Sequence, residues 1–248
     1  MHTYGIQIFQ ECTRLISDLK NEEVVTRLVD TFIRASPVLG AEIVLPLLPK
    51  IFEKVYCAEE YSLLTAMFLC SLASVLLSSH EVFTRVLVAL AQAHNESETV
   101  TFGKILDVWL DKMRCVAQLE QRKLLGLALA NLLTTRCGPF ASFGLILLIV
   151  SEALNDVIKA EDNGTLIDSL VITEDHFDEE RDGYHESDYD QRNKQLVLSD
   201  PVHTIIFKDY VQSRLCELRD HVGKEQFQQL LHCVDVDTQL RLKVYITF

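Results

Sequence analysis

The sequence predicts an all-α fold: a HEAT-repeat right-handed solenoid (ARM-like superhelix) with a long acidic loop and C-terminal helices. Three observations carry that expectation. Glycine and proline together supply 14 of 248 residues, about half of their average usage, so the residues that punctuate sandwiches and barrels are scarce. Polar or turn-forming residues precede apolar runs of helical period near residues 5, 22, 41, 60, 80, 99, 119 and 139. Taken alternately, these starts recur at steps of 36, 39 and 39 in one series and 38, 39 and 40 in the other. The unit is a helix pair of about 39 residues, near the HEAT and armadillo range and longer than ankyrin or TPR units.

The elements follow in order. Ile6, Ile8, Phe9, Leu15 and Ile16 give the first helix an apolar stripe with no capping repeat before it, so the chain reads as a fragment or short isoform of a longer array. Tyr61 to Ser79 carries no charge over 19 residues. Its serines and the absence of flanking basic clusters favour a central helix of a stack over a membrane span. From Thr101 to Val116, the side chains of Phe102, Ile105, Leu106, Trp109, Met113 and Val116 share one face. Trp109 is expected in the core. From Leu119 the leucine-rich run through Leu133 predicts a more buried helix, in which Gly126 lets a neighbour approach closely. Such units bury their apolar faces only by stacking.

Three units are expected: a HEAT-like array over 1–160, an acidic flexible loop over 161–199 and a C-terminal helical cap over 200–248. Between Glu161 and Asp190 twelve Asp and Glu stand against one Arg, which accounts for most of the net charge of −13. Sustained helical periodicity is missing there, the mark of a solvated segment. Asp200 before Pro201 suits a helix start, with the acceptor at the cap and proline at the first position. Helices are expected over roughly 201–221, 224–233 and 235–246, with Gly223 between the first two. Val202, Ile205, Ile206, Tyr210, Val211, Leu215 and Leu218 would dock the first of them.

Composition excludes several functions. An acidic chain lacks the clustered Lys and Arg that neutralise phosphates, so nucleic acid is not an expected partner and basic proteins are. Seven cysteines without a C-x-x-C pair suit a reducing compartment and a role as small core residues. No nucleophile elbow, Walker loop, dinucleotide fingerprint or zinc-protease motif occurs, so no enzyme and no cofactor are expected. Asp178, Glu180 and Asp182 match positions 1, 3 and 5 of a calcium loop, and Gly183 matches position 6. Tyr189 stands where the bidentate Glu is required, so no metal site is expected; His176 and His185 offer at most weak binding.

The stretches Asp107–Met113, Gln121–Leu129, Asp200-Pro201-Val202-His203-Thr204 and Gly223–Leu230, in that order around an acidic segment, resemble the C-terminal part of nuclear transport receptors of the importin-β (karyopherin-β) family. The resemblance implies a HEAT superhelix that carries protein cargo, ubiquitin-conjugating enzymes among the classes, through nuclear pores under control of Ran. It implies contact with the phenylalanine-glycine repeats of the pore and shuttling between cytoplasm and nucleus by way of the nuclear envelope. Ran-GTP would act through N-terminal repeats of the full receptor that do not belong to this stretch. A general HEAT scaffold or regulatory subunit is the alternative.

Candidate contacts for basic cargo are the carboxylates Asp178, Glu179, Glu180, Asp182, Glu186, Asp188 and Asp190 of the acidic segment, and Asp107 and Asp111, four residues apart on one helix face. A run of carboxylates speeds encounter with basic segments, each exposed pair adding about 0 to 1 kcal/mol. Lys104 and Arg114, at i to i+3 spacing, are expected to pair with Asp107 and Asp111 and compete with cargo.

Overall fold

The computed structural model describes residues 14, 22–58, 62–134, 142–162 and 187–247. Among them every regular element is a helix: α1 Glu22–Ala35, α2 Pro37–Val44, α3 Leu48–Tyr56, α4 Ser62–Ser78, α5 His80–Ala93, α6 Glu98–Met113, α7 Leu119–Leu132, α8 Phe143–Asp162, α9 Asp188–Ser199, α10 Pro201–Thr204, α11 Phe207–Val222, α12 Lys224–His232 and α13 Val236–Tyr245. The helix expected near residue 5 lies outside the described residues.

Local chemistry sets the boundaries. Ser79 and Ser97 cap α5 and α6, each side chain accepting from the backbone N–H three residues on, Val82 and Val100, at 3.3 Å. This satisfies donors that have no partner inside the helix. Asn95 carries the turn between α5 and α6 at a φ of 54°, a left-handed conformation that asparagine tolerates. Gly223 separates α11 from α12 at a φ of 86°, where a Cβ would be strained.

Two rows of helices enclose the core. In one row α1 packs on α4, α4 on α7 and α7 on α11. In the other, α3 meets the α5–α6 hairpin, α6 meets α8, and α8 meets α12 and α13. The rows share one continuous apolar cluster from Val25 to Ile246, with Trp109, Phe52 and Phe83 among its largest side chains. Phe52 and Phe83 tie α3 to α5 with ring centroids 5.1 Å apart. This is an all-α helical-repeat solenoid, as the sequence predicts.

The structure departs from the expectations in five places. The helix expected from residue 41 is two, α2 and α3, because Pro46 lacks a backbone N–H and its ring disfavours a continuous helix. Its start is Pro37, preset by its ring for the first helical position.

Strict alternation of rows fails at α7, which packs on α4 rather than chiefly on α5. Both α4 and α7 are apolar around most of their circumference, so each needs neighbours on several sides. The more amphipathic α5 and α6 sit together in the other row.

Within the segment expected to be a loop over 161–199, residues from Asp188 form α9. Asp188 is its first residue, where a carboxylate complements the helix dipole, and Val197 is its buried anchor.

The helix expected over 201–221 is broken at Ile205 and Ile206. Ile206 is therefore exposed and Phe207 takes the buried position.

The cysteines divide. Cys70 is buried, but Cys57, Cys115 and Cys233 are exposed just past the ends of α3, α6 and α12. Helix ends lie at the surface even when the sequence beside them is apolar.

Among the described residues, no helix is long and apolar enough to cross a membrane.

Candidate protein-binding surface

Asp107 and Asp111 lie on the solvent face of α6 because Ile105, Leu106, Trp109, Leu110 and Met113 take the buried face. That division follows directly from helical spacing. Trp109 is fully buried, and among the described residues its Nε1 has no hydrogen-bond partner. The indole thus positions α6 through packing.

Lys104 and Arg114 turn away from the two aspartates. Lys104 donates to Glu96 Oε1 at 2.5 Å and to the Tyr56 hydroxyl at 2.8 Å, and its ammonium stands 4.9 Å from the Tyr56 ring centroid. The hydrogen bond from Lys104 holds the Glu96 carboxyl below the usual carboxylate range. The same bond raises the Lys104 ammonium. This cluster ties the α5–α6 turn to α3. Arg114 faces Glu152 of α8 at 3.7 Å.

The expected pairs Lys104–Asp107 and Asp111–Arg114 therefore do not form, because longer-range partners on α3, the α5–α6 turn and α8 are better placed. Asp111 pairs with Lys112 at 2.9 Å, a bond that raises the lysine. Among the described residues Asp107 has no ion pair, leaving its carboxylate open to solvent.

Asp188 is exposed at the start of α9, and Asp190 is the third residue of that helix. Asp178, Glu179, Glu180, Asp182 and Glu186 lie outside the described residues, as do His176 and His185. The structure thus brings Asp107 and Asp111 onto one surface and places Asp188 on a separate helix. Among the described residues no group of three or more His, Cys, Asp or Glu side chains is arranged to hold a metal ion.

A cleft that sequence spacing could not reveal opens between α6, α7, α8 and α13. It has a volume of about 240 Å³ and is lined by Arg114, Arg122, Glu152, Asn155, Asp156 and Arg241, with Met113, Ile149 and Ala153 beneath. Its residues come from four elements spread between Met113 and Arg241, so no local motif marks it.

The sequence of residues 1–245 matches the family described as Importin-11-like, TPR repeats. Human importin-11 is 27% identical over 253 aligned residues, and mouse importin-11 is 26% identical over 251. Each alignment covers 99% of this chain and 26% of the relative, so the chain spans about a quarter of the length of these proteins. No solved structure matches it. The family description names TPR repeats where the spacing of about 39 residues predicts HEAT units; both are stacked helix pairs, and strict period is the feature that α2, α3 and α7 blur. A match running almost from end to end, on a fold built of stacked helices, shows that this chain belongs to the importin-11-like repeat family.

Proposed function

We propose that the chain is a protein-binding segment of a nuclear import receptor of the importin-β family, one that carries protein cargo through nuclear pores under control of Ran. The single observation that carries this reading is the family match over residues 1–245. The exposed carboxylates of α6 supply its chemistry. Asp107, free of ion pairs among the described residues, and Asp111 would meet Lys- or Arg-rich cargo, and the acidic residues before and within the start of α9 would raise the encounter rate.

Cargo on this reading is basic protein, with ubiquitin-conjugating enzymes as one class. Phenylalanine-glycine repeats of the pore are a second partner, and Ran-GTP acts through the N-terminal repeats of a full receptor. The protein shuttles between cytoplasm and nucleus, passing the nuclear envelope at the pore. Its role is binding, with no cofactor and no nucleic acid. Immobilised phenylalanine-glycine repeats and an immobilised basic cargo are the test. Retention of the chain on both supports an import receptor, and retention on neither leaves a general helical scaffold.

A further inference from the structure

The cleft between α6, α7, α8 and α13 is lined by arginines as well as carboxylates. Its floor is fixed. Arg122 donates from Nε and Nη2 to the carbonyl of Val116 at 3.2 and 2.9 Å, and its Nη1 contacts Asp156. Asn155 is held from the other side by the Tyr245 hydroxyl, which donates to its Oδ1 at 3.0 Å. These bonds leave little rotamer freedom to lose when a ligand enters.

The mouth of the cleft has donors to spare. A guanidinium carries five N–H groups and never deprotonates in proteins. Arg114 makes one long contact, 3.7 Å to Glu152, while its side chain remains 59% exposed. Arg241 projects from α13 into the same cleft; among the described residues it has no hydrogen bond or ion pair, and its charge helps to lower the Asp235 carboxyl. Three guanidinium groups and two carboxylates thus share a space of about 240 Å³, a local excess of positive charge on a chain whose net charge is −13. Planar guanidinium groups match carboxylate oxygens in pairs, which makes an Arg-lined cleft selective for such groups.

We infer that this cleft binds a carboxylate of an acidic peptide segment on a protein partner, with Arg114 and Arg241 closing on it while Arg122 and Asn155 form the preset floor. The inference does not depend on the import-receptor reading.

Fluorescence anisotropy of labelled hexaglutamate titrated with the full chain at low salt tests it, with hexaglutamine as the uncharged control. Hexaglutamate is expected to saturate and hexaglutamine not to bind. Arg114→Gln and Arg241→Gln should each weaken binding about tenfold, the worth of one charge-assisted bond. Arg219→Gln, which alters an arginine paired with Asp220 on α11, should leave it unchanged. Glu152→Gln removes the competing carboxylate and should strengthen binding about threefold, a gain that damage to the fold would not produce. Inorganic phosphate alone should compete only at far higher concentration. Equal affinity of wild type, Arg114→Gln and Arg241→Gln, or displacement by phosphate as efficient as by hexaglutamate, would overturn the inference.

Discussion

Arg34 Nε lies 2.8 Å from Asp200 Oδ2, and the two side chains are 11% and 6% exposed. The pair joins the end of α1 to the residue before α10, so the chain beyond the acidic segment is fastened back onto the first described helix. Asp200 has a second duty: its Oδ1 accepts from the Val202 N–H at 2.7 Å and caps α10. Asp200→Ala removes both interactions and leaves Arg34 without this partner in a largely buried setting. The expected loss is about 3 to 5 kcal/mol. Asp200→Asn keeps an acceptor for the cap and should cost less. Urea denaturation followed by far-ultraviolet circular dichroism measures the difference.

Two glycines should respond to alanine with opposite signs. A Cβ at Gly126 of α7 would stand 2.5 Å from the ζ carbon of Phe207, which is fully buried and has nowhere to move. Gly126→Ala should therefore destabilise by about 1 to 3 kcal/mol, and shortening the opposing ring with Phe207→Leu should relieve part of that clash. A Cβ at Gly103 of α6 meets nothing within 4 Å. Gly103→Ala should stabilise by about 1 kcal/mol through helix propensity alone. Paired thermal melts check the signs.

Thiol chemistry should sort by position. Cys57, Cys115 and Cys233 are exposed and should react with a maleimide in the native state; Cys70 should react only after unfolding. Burial, followed by the charges of Asp30 and Glu120, pushes the Cys70 thiol far above its ordinary range. The unfolded chain releases that proton first, so the buried thiol's contribution is fully present below a pH of about 8.5 and declines as pH rises above it. Stability measured from pH 7 to 10 should fall more steeply for wild type than for Cys70→Ala.

Asp107 carries no structural ion pair among the described residues, so Asp107→Asn should leave the melting temperature unchanged. It should weaken binding of a Lys/Arg-rich peptide at low salt by no more than about fivefold, the ceiling for one exposed pair, and the effect should fade at physiological salt. Deleting residues 174–190 should weaken the same binding, and an unchanged titration would separate the acidic segment from cargo capture.

The buried face of α6 was legible from residue spacing alone, because Phe102 through Met113 obey one helical period. Capping at Asp200, the break at Gly223 and the close approach at Gly126 were legible from residue chemistry. The row order was not: α4 and α7 are buried around most of their circumference, and such helices do not declare which neighbour they need. Nor did the α9 helix show itself, with Val197 the one buried hydrophobic side chain among its described residues. The partners of Lys104 and Arg114 escaped local reading because Tyr56, Glu96 and Glu152 approach through the fold. For the same reason the arginine cleft has no sequence signature.

Affinity capture of protein cargo, with and without Ran-GTP, tests whether this chain is a cargo-binding segment of an import receptor. It compares this chain with a version extended by the N-terminal repeats proposed for the full receptor. Both should bind cargo, and Ran-GTP should release it from the extended version only. Failure of this chain to bind any cargo that the extended version holds would contradict that reading.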